Sequence, residues 1–156
     1  MENCCFIGHR FLKKGTRNGI KRQLRATIER LIQQGVTSFV CGGSFGFGLL
    51  AGYIVWEFKE KHTDIKFTLM LPCRDYSTFR LYQRPEALAE LIAVADEVIY
   101  LSEDYYAGCK RQRNMKMLET SQYLVAYMID DGGTAGVLDT AREMGLSVIN
   151  LAGSSE

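Results

Sequence analysis

The sequence predicts an α/β fold: a single-domain, Rossmann-like three-layer sandwich, with a mostly parallel sheet of about six strands and helices on both faces. Short apolar runs alternate with longer segments of helical period along the chain. Parallel neighbours need a crossover connection, so this alternation indicates βαβ units. The length of 156 residues fits one domain, and 47% hydrophobic with 24% charged residues is typical of a chain that buries a core.

The first half of the chain predicts three strands and two helices. Cys4–Ile7 is a short apolar run that ends at a glycine, as expected of a strand buried on both faces. Apolar residues recur at helical spacing over Asn18–Gln34, and a glycine follows as a helix end. Ser38–Cys41 predicts the second strand, a mostly apolar helix runs from Leu49 to Phe58, and Ile65–Leu71 predicts the third strand.

The second half continues the same alternation. Strands are predicted at Glu97–Leu101, Tyr123–Ile129 and Ser147–Leu151. Three helices are predicted. The first begins at Pro85, which suits a first helical turn, the second covers Cys109–Thr120, and the third runs from Val137 to Met144. The five residues from Ala152 to Glu156 are expected to form a frayed tail.

Cysteine usage and charge exclude several classes of protein. The five cysteines are an odd number without CxxC spacing, which favours reduced thiols, a cytoplasmic location and no metal site. The N-terminal apolar run is too short for a signal peptide or a membrane span, so we expect no membrane partner. Because the net charge is only +1, no general attraction to nucleic acid is expected.

Glycine is the residue type whose placement points to function. Many of the 15 glycines follow three predicted strands: Gly8 after the first, Gly42, Gly43, Gly46 and Gly48 after the second, and Gly132, Gly133 and Gly136 after the fifth. Parallel sheets bind ligands outside the carboxyl ends of their strands. Glycine exposes backbone amides there, and a following helix start attracts anions. The sequence therefore predicts a phosphate cradle, although tight strand-to-helix turns would explain single glycines equally well.

The other residues at these strand ends refine that prediction. Arg10 follows the first strand and offers a bidentate fork to an anion, and His9 beside it offers a titratable donor; the alternative is a surface pair on a loop. The segment Gly42–Gly48 matches neither the GxGxxG fingerprint after a first strand nor a P-loop. A plain NAD dehydrogenase or ATPase is therefore disfavoured, and no cofactor is expected.

Several further groups stay open between a functional and a structural role. Asp130 and Asp131 suit acid–base chemistry or an ordinary turn before Gly-Gly. The basic residues from Lys110 to Lys116 suit a phosphate-binding face or a solvated helix side. Cys109 opens a helix, where a thiolate is stabilised, but a lone cysteine is more often inert. The aromatic residues from Tyr76 to Tyr82 suit either a flap that stacks on a base or part of the core. No catalytic residue is assigned.

The order of four motifs resembles the SLOG superfamily, which includes DNA-processing protein A and the LOG proteins. The motifs are CCFIGHR, VCGGSFGFGLLAG, RNMKM and DGGTAGVLDTA, and the chain most resembles the small YpsA-like branch. The resemblance implies a nucleotide or nucleotide-derived ligand, a role as sensor or regulator, and a homo-oligomer, with a dimer favoured. It adds Arg113 to the binding residues, which are then Gly8, His9, Arg10, Gly42, Gly43, Ser44, Gly46, Arg113, Gly132, Gly133 and Thr134.

Two departures from the family pattern limit what the resemblance implies. The catalytic glutamate of LOG phosphoribohydrolases, three residues after their Gly-Thr, falls on Val137, and Gly48 replaces an aspartate usual in the YpsA-like branch. An enzyme that hydrolyses the N-glycosidic bond of a nucleotide is therefore the first alternative. The second is single-stranded nucleic-acid binding, as in DNA-processing protein A, through the basic first helix with Lys21, Arg22, Arg25 and Arg30.

Overall fold

The computed structural model of the protein describes residues 2–74, 85–129 and 136–153. In these ranges six strands alternate with five α-helices. The strands are β1 (Asn3–Gly8), β2 (Ser38–Cys41), β3 (Lys66–Leu71), β4 (Glu97–Tyr100), β5 (Tyr123–Tyr127) and β6 (Ser147–Asn150). The helices are α1 (Arg17–Gln33), α2 (Phe47–Lys61), α3 (Pro85–Val94), α4 (Cys109–Glu119) and α5 (Gly136–Glu143), and a 3-10 turn follows at Leu151–Gly153.

The strands form one sheet in the order β4-β3-β2-β1-β5-β6. All five pairings are parallel, as expected where each connection is a helical crossover. The chain moves from β1 outward to β4 and then returns to the other side of β1 with β5. The strand order therefore reverses between β1 and β5, where sheets of this kind leave a crevice for ligands.

Two apolar layers cover the sheet, because successive strand residues point to opposite faces. Cys4 and Phe6 of β1 pack with α1, α2 and α3, and Cys5 and Ile7 pack with α4 and α5 on the other face. The described part of the chain contains no helix long and apolar enough to cross a membrane.

The structure confirms the predicted α/β class and the order of elements, and it shifts several predicted ends by one or two residues. The predicted strand to Ile129 ends at Tyr127, since the side chain of Asn150 binds both backbone groups of Met128, accepting from its amide at 3.1 Å and donating to its carbonyl at 3.0 Å. The predicted frayed tail begins later, because Ala152 lies in the 3-10 turn and donates to Asn150 Oδ1 at 3.2 Å.

Candidate functional site

A cavity of about 130 Å³ lies at the carboxyl ends of β1 and β2, beside the point where strand order reverses. The start of α4 closes it from the other side. Its lining combines loop glycines, three basic side chains and an apolar floor: Phe6, Ile7, Gly8, Arg10, Gly42, Ser44, Gly48, Lys110, Arg113, Asn114 and Met117. None of these described lining residues is acidic.

Arg113 is the most buried charged group of the site, with 2% of the residue exposed. Its Nη1 donates to the carbonyl of Gly42 at 2.6 Å, its Nη2 to Ser44 Oγ at 2.7 Å, and its Nε to Asn114 Oδ1 at 2.9 Å. The guanidinium fork thus fastens the β2–α2 loop to α4. A side chain at position 42 would obstruct this contact, because an added Cβ would lie 2.7 Å from Arg113 Nη1.

Arg10 and Lys110 bring two further positive charges to the same cavity. Burial lowers the pKa of Lys110, and the charges of Arg10 and Arg113 lower it further. Lys110 is also the second residue of α4, whose first turn contains no acidic side chain. Since a helix N-terminus carries a partial positive charge, the basic residues here add to an already positive potential.

The N-terminus of α2 is less open to a ligand than the glycine pattern suggested. The amide of Phe47 donates to the carbonyl of His9 at 3.1 Å, and the amide of Leu49 donates to the carbonyl of Ser44 at 2.7 Å. These two donors of the first turn are therefore occupied within the chain. The start of α2 instead supports the loop after β1, which carries Arg10.

His9 joins the two halves of the sheet. Its Nε2 accepts a hydrogen bond from the amide of Ile129 at 2.9 Å, and its own amide donates to the carbonyl of Tyr127 at 3.1 Å. The ring of His9 meets the Tyr127 ring edge-on, with the centroids 6.2 Å apart. His9 thus ties the end of β1 to the end of β5 across the reversal of strand order.

The structure brings five of the sequence-predicted binding residues together around the cavity, namely Gly8, Arg10, Gly42, Ser44 and Arg113. Three others lie elsewhere. His9 contacts β5, the Cβ position of Gly43 is 2.8 Å from Leu88 Cδ1, and that of Gly46 lies against the backbone carbonyl of Arg10. Gly132, Gly133 and Thr134, together with the aromatic segment Tyr76–Tyr82, lie outside the described residues.

The sequence left Lys110 open between a phosphate-binding face and a solvated helix side, and Asn114 was not predicted to belong to this site. A usable signal exists in their spacing, because Lys110, Arg113, Asn114 and Met117 follow the i, i+3, i+4, i+7 pattern of one helix face. Arg113 and Met117 are buried on that face, at 2% and 1% exposure. A basic residue in phase with them is therefore directed toward the sheet.

The five cysteines are buried free thiols. Burial raises the pKa of Cys5 to about 12, and burial likewise raises the pKa values of Cys4 and Cys41. Cys109, at the start of α4, is 1% exposed. Within the described residues no three His, Cys, Asp or Glu side chains gather as metal ligands would.

A family model described as the YspA SLOG family (YpsA) matches residues 11–144. Among solved structures, DNA processing protein A from Streptococcus pneumoniae is similar, with a TM-score of 0.66, 12% identity and 94% of this chain covered. The Helicobacter pylori protein of the same name is similar with a TM-score of 0.65 and 16% identity, and the match covers 94% of this chain. TM1055 is similar with a TM-score of 0.59 and 16% identity, and the match covers 95% of this chain. A search of curated protein sequences gives no significant match.

The chain spans about half the length of the S. pneumoniae protein, of which the match covers 49%. The match covers 63% of the H. pylori protein. It covers 72% of TM1055. At these identities the likeness shows a shared fold.

Proposed function

The chain belongs to the YspA SLOG family, and we propose that it binds a nucleotide or nucleotide-derived ligand with the ligand's anionic group in the cavity between β1, β2 and α4. Arg10, Lys110 and Arg113 surround that group. A domain that binds without turnover suits a sensor or regulator.

The observation that carries the proposal is the convergence of three basic side chains on one small cavity. Three basic side chains and the positive end of α4 converge, and no acidic residue is found among the described lining. The pKa of Lys110 is lowered by its burial and, to a smaller extent, by the nearby positive charges of Arg10 and Arg113. A phosphate would offset both effects through charge-assisted hydrogen bonds.

The size of the cavity decides which part of a ligand it admits. At about 130 Å³ it is well below the roughly 300–1,000 Å³ typical of pockets that enclose a whole small molecule. The phosphate therefore enters, and the remainder of the ligand lies outside this cavity.

The test is thermal unfolding with and without AMP, in the wild type and in Lys110→Met. A ligand at 100 times its Kd stabilises the folded state by about 2.7 kcal/mol, so the wild type should show a clear rise in Tm. Lys110→Met should lose most of that rise. Lys116→Met removes the same charge from an exposed position of the same helix, and its AMP-dependent rise should match the wild type.

Two outcomes would contradict the proposal. One is the absence of stabilisation by any of a panel containing nucleoside mono- and diphosphates, NAD, ADP-ribose and inorganic phosphate. The other is an AMP-dependent rise in Tm that is the same in Lys110→Met and in the wild type.

Hydrolysis of the N-glycosidic bond is the alternative that this site supports less well. The position of the LOG glutamate is held by Val137, a half-buried apolar residue of α5 that packs against the core. Without a carboxylate there, nothing at that position stabilises an oxocarbenium-like centre. Release of free base from nucleoside monophosphates, lost in Arg113→Ala, would replace the binding proposal with this alternative.

Nucleic-acid binding is the other alternative, since DNA processing protein A from H. pylori, which has a similar fold, binds single-stranded DNA. In this chain, Arg25 of the basic α1 helix forms an ion pair with Glu57 at 2.9 Å, which reduces the positive charge of that face. Binding of an oligonucleotide at low salt, weakened by Lys21→Glu on α1, would support it.

A further inference from the structure

A second and larger cavity adjoins the first on the far side of α4. It measures about 440 Å³ and lies between α4 and α5, lined by Lys110, Arg111, Asn114, Met115, Leu118, Gly136, Val137 and Thr140. Lys110 and Asn114 line both cavities. They are one helical turn apart, so together they form a ridge with one cavity on each side.

We propose that this second cavity holds the base of a ligand whose phosphate occupies the first cavity. The ligand class is then a nucleoside 5′-monophosphate or a close derivative. The inference rests on the proposed function and extends it, because it assigns a place to the part of the ligand that the first cavity cannot contain.

The volume and lining of the second cavity suit a flat, mostly apolar ring. About 440 Å³ lies within the range of small-molecule pockets. Met115, Leu118 and Val137 supply apolar surface, and a methionine thioether packs favourably on aromatic rings. Arg111 offers a planar guanidinium that stacks on a base, and the amide nitrogen of Asn114 offers a donor to its edge, while its oxygen accepts from Arg113 Nε.

The ridge of Lys110 and Asn114 is the reason for assigning both cavities to a single ligand. Arg113 and Met117 face the first cavity, and Arg111 and Met115 face the second. Among the described lining residues, only Lys110 and Asn114 face both. A group that links a phosphate to a base must cross this ridge, where a sugar hydroxyl meets an ammonium and an amide. A free phosphate would fill the first cavity and make no use of the second.

The test compares AMP with ribose 5-phosphate in the wild type and in Gly136→Trp. A Cβ added at Gly136 meets no atom within 4 Å, and Gly136 lines the second cavity, so a tryptophan there is expected to reduce the space for a base. The matched control is Gly19→Trp, another helical glycine, where the nearest atom to an added Cβ is Arg22 Nη2 at 3.8 Å and neither cavity is touched. Kd values come from calorimetry, and Tm values show that each variant folds.

In the wild type, AMP should bind at least about tenfold more tightly than ribose 5-phosphate, because a base that stacks on protein side chains increases affinity by at least that factor in other proteins. Gly136→Trp should abolish that preference and leave the affinity for ribose 5-phosphate unchanged, and Gly19→Trp should retain it. Equal AMP affinity in Gly136→Trp and the wild type would overturn the inference and leave the phosphate site standing. Absence of binding by both ligands would instead overturn the proposed function together with the inference.

If Gly136→Trp fails to fold, Thr140→Phe obstructs the same cavity from the next turn of α5. It should produce the same loss of preference for AMP. Unchanged preference in a folded Thr140→Phe variant would overturn the inference.

Discussion

Arg113 links a buried hydrogen-bond network to the proposed anion site. Its guanidinium donates to the Gly42 carbonyl and to Ser44 Oγ, so it holds the loop after β2 in place while also lining the cavity. The same side chain therefore has a structural and an electrostatic role. Its burial requires these acceptors, since an unpaired guanidinium in this position would be strongly unfavourable.

We predict that Arg113→Met lowers the free energy of unfolding by about 1–3 kcal/mol, because the Gly42 carbonyl and Ser44 Oγ lose their donor in a buried place. Urea unfolding measures the change. Arg111→Met, at an exposed position of the same helix, should change stability by no more than about 0.5 kcal/mol. Equal stability of the two variants would contradict the structural role of Arg113.

The residues of the site were only partly predictable from the sequence. Arg10 and the loop glycines stand directly after strands, and a parallel sheet gathers strand ends at one edge, so their placement follows from topology. Lys110 belongs to a run of basic residues, and such runs usually mark a solvated helix side. Which of these basic residues faces the sheet depends on the orientation of α4 about its own axis. That orientation is set by the packing of apolar residues such as Met117.

At the scale of elements, helices and strands were predicted well because their hydrophobic periods are local. One of the errors fell at a strand end that is set by a distant side chain. Asn150 of β6 binds the backbone of Met128 and ends β5 there, and no local pattern in residues 123–129 contains that information. The occupied amides of α2 are a similar case, because their acceptors include the carbonyl of His9 from the loop after β1.

The junction between α2 and the loop after β1 depends on Gly46. This residue has a φ of +82°, and a Cβ there would overlap the backbone carbonyl of Arg10. A clash with backbone cannot be relieved by rotating a side chain. Any residue other than glycine must therefore displace the start of α2 or the loop that carries Arg10.

We predict that Gly46→Ala destabilises the protein by more than Gly15→Ala. Both glycines have positive φ, +82° and +89°, so both variants incur a conformational penalty of roughly 1–2 kcal/mol. Only Gly46 adds a clash, since a Cβ at Gly15 meets nothing within 4 Å. Denaturant unfolding of the two variants gives the difference, and equal losses would show that the α2 junction tolerates displacement.

At the scale of the whole molecule, a net charge of +1 conceals a local concentration of positive charge. The sheet topology brings the end of β1 and the start of α4 together, and with them Arg10, Lys110 and Arg113. Burial and the charges of Arg10 and Arg113 lower the pKa of Lys110, so the charged form of this side chain is disfavoured in the folded state. The proposed function therefore has a consequence for global stability that can be measured without knowing the natural ligand.

We predict that Lys110→Met is more stable than the wild type at neutral pH. The pKa of Lys110 is lowered in the folded state, so its charged form is disfavoured there, and the unfavourable contribution is fully present while both states are protonated. As the pH rises through the lowered pKa toward the ordinary lysine value, the folded wild type loses this proton and the contribution disappears. The stability advantage of Lys110→Met should therefore shrink with rising pH in urea unfolding curves.

Inorganic phosphate at neutral pH should also reduce the stability advantage of Lys110→Met, because the bound anion stabilises the Lys110 ammonium, which only the wild type has. An advantage that grows with pH, or that phosphate leaves unchanged, would contradict both the electrostatic origin of the effect and the place assigned to Lys110 in the anion site.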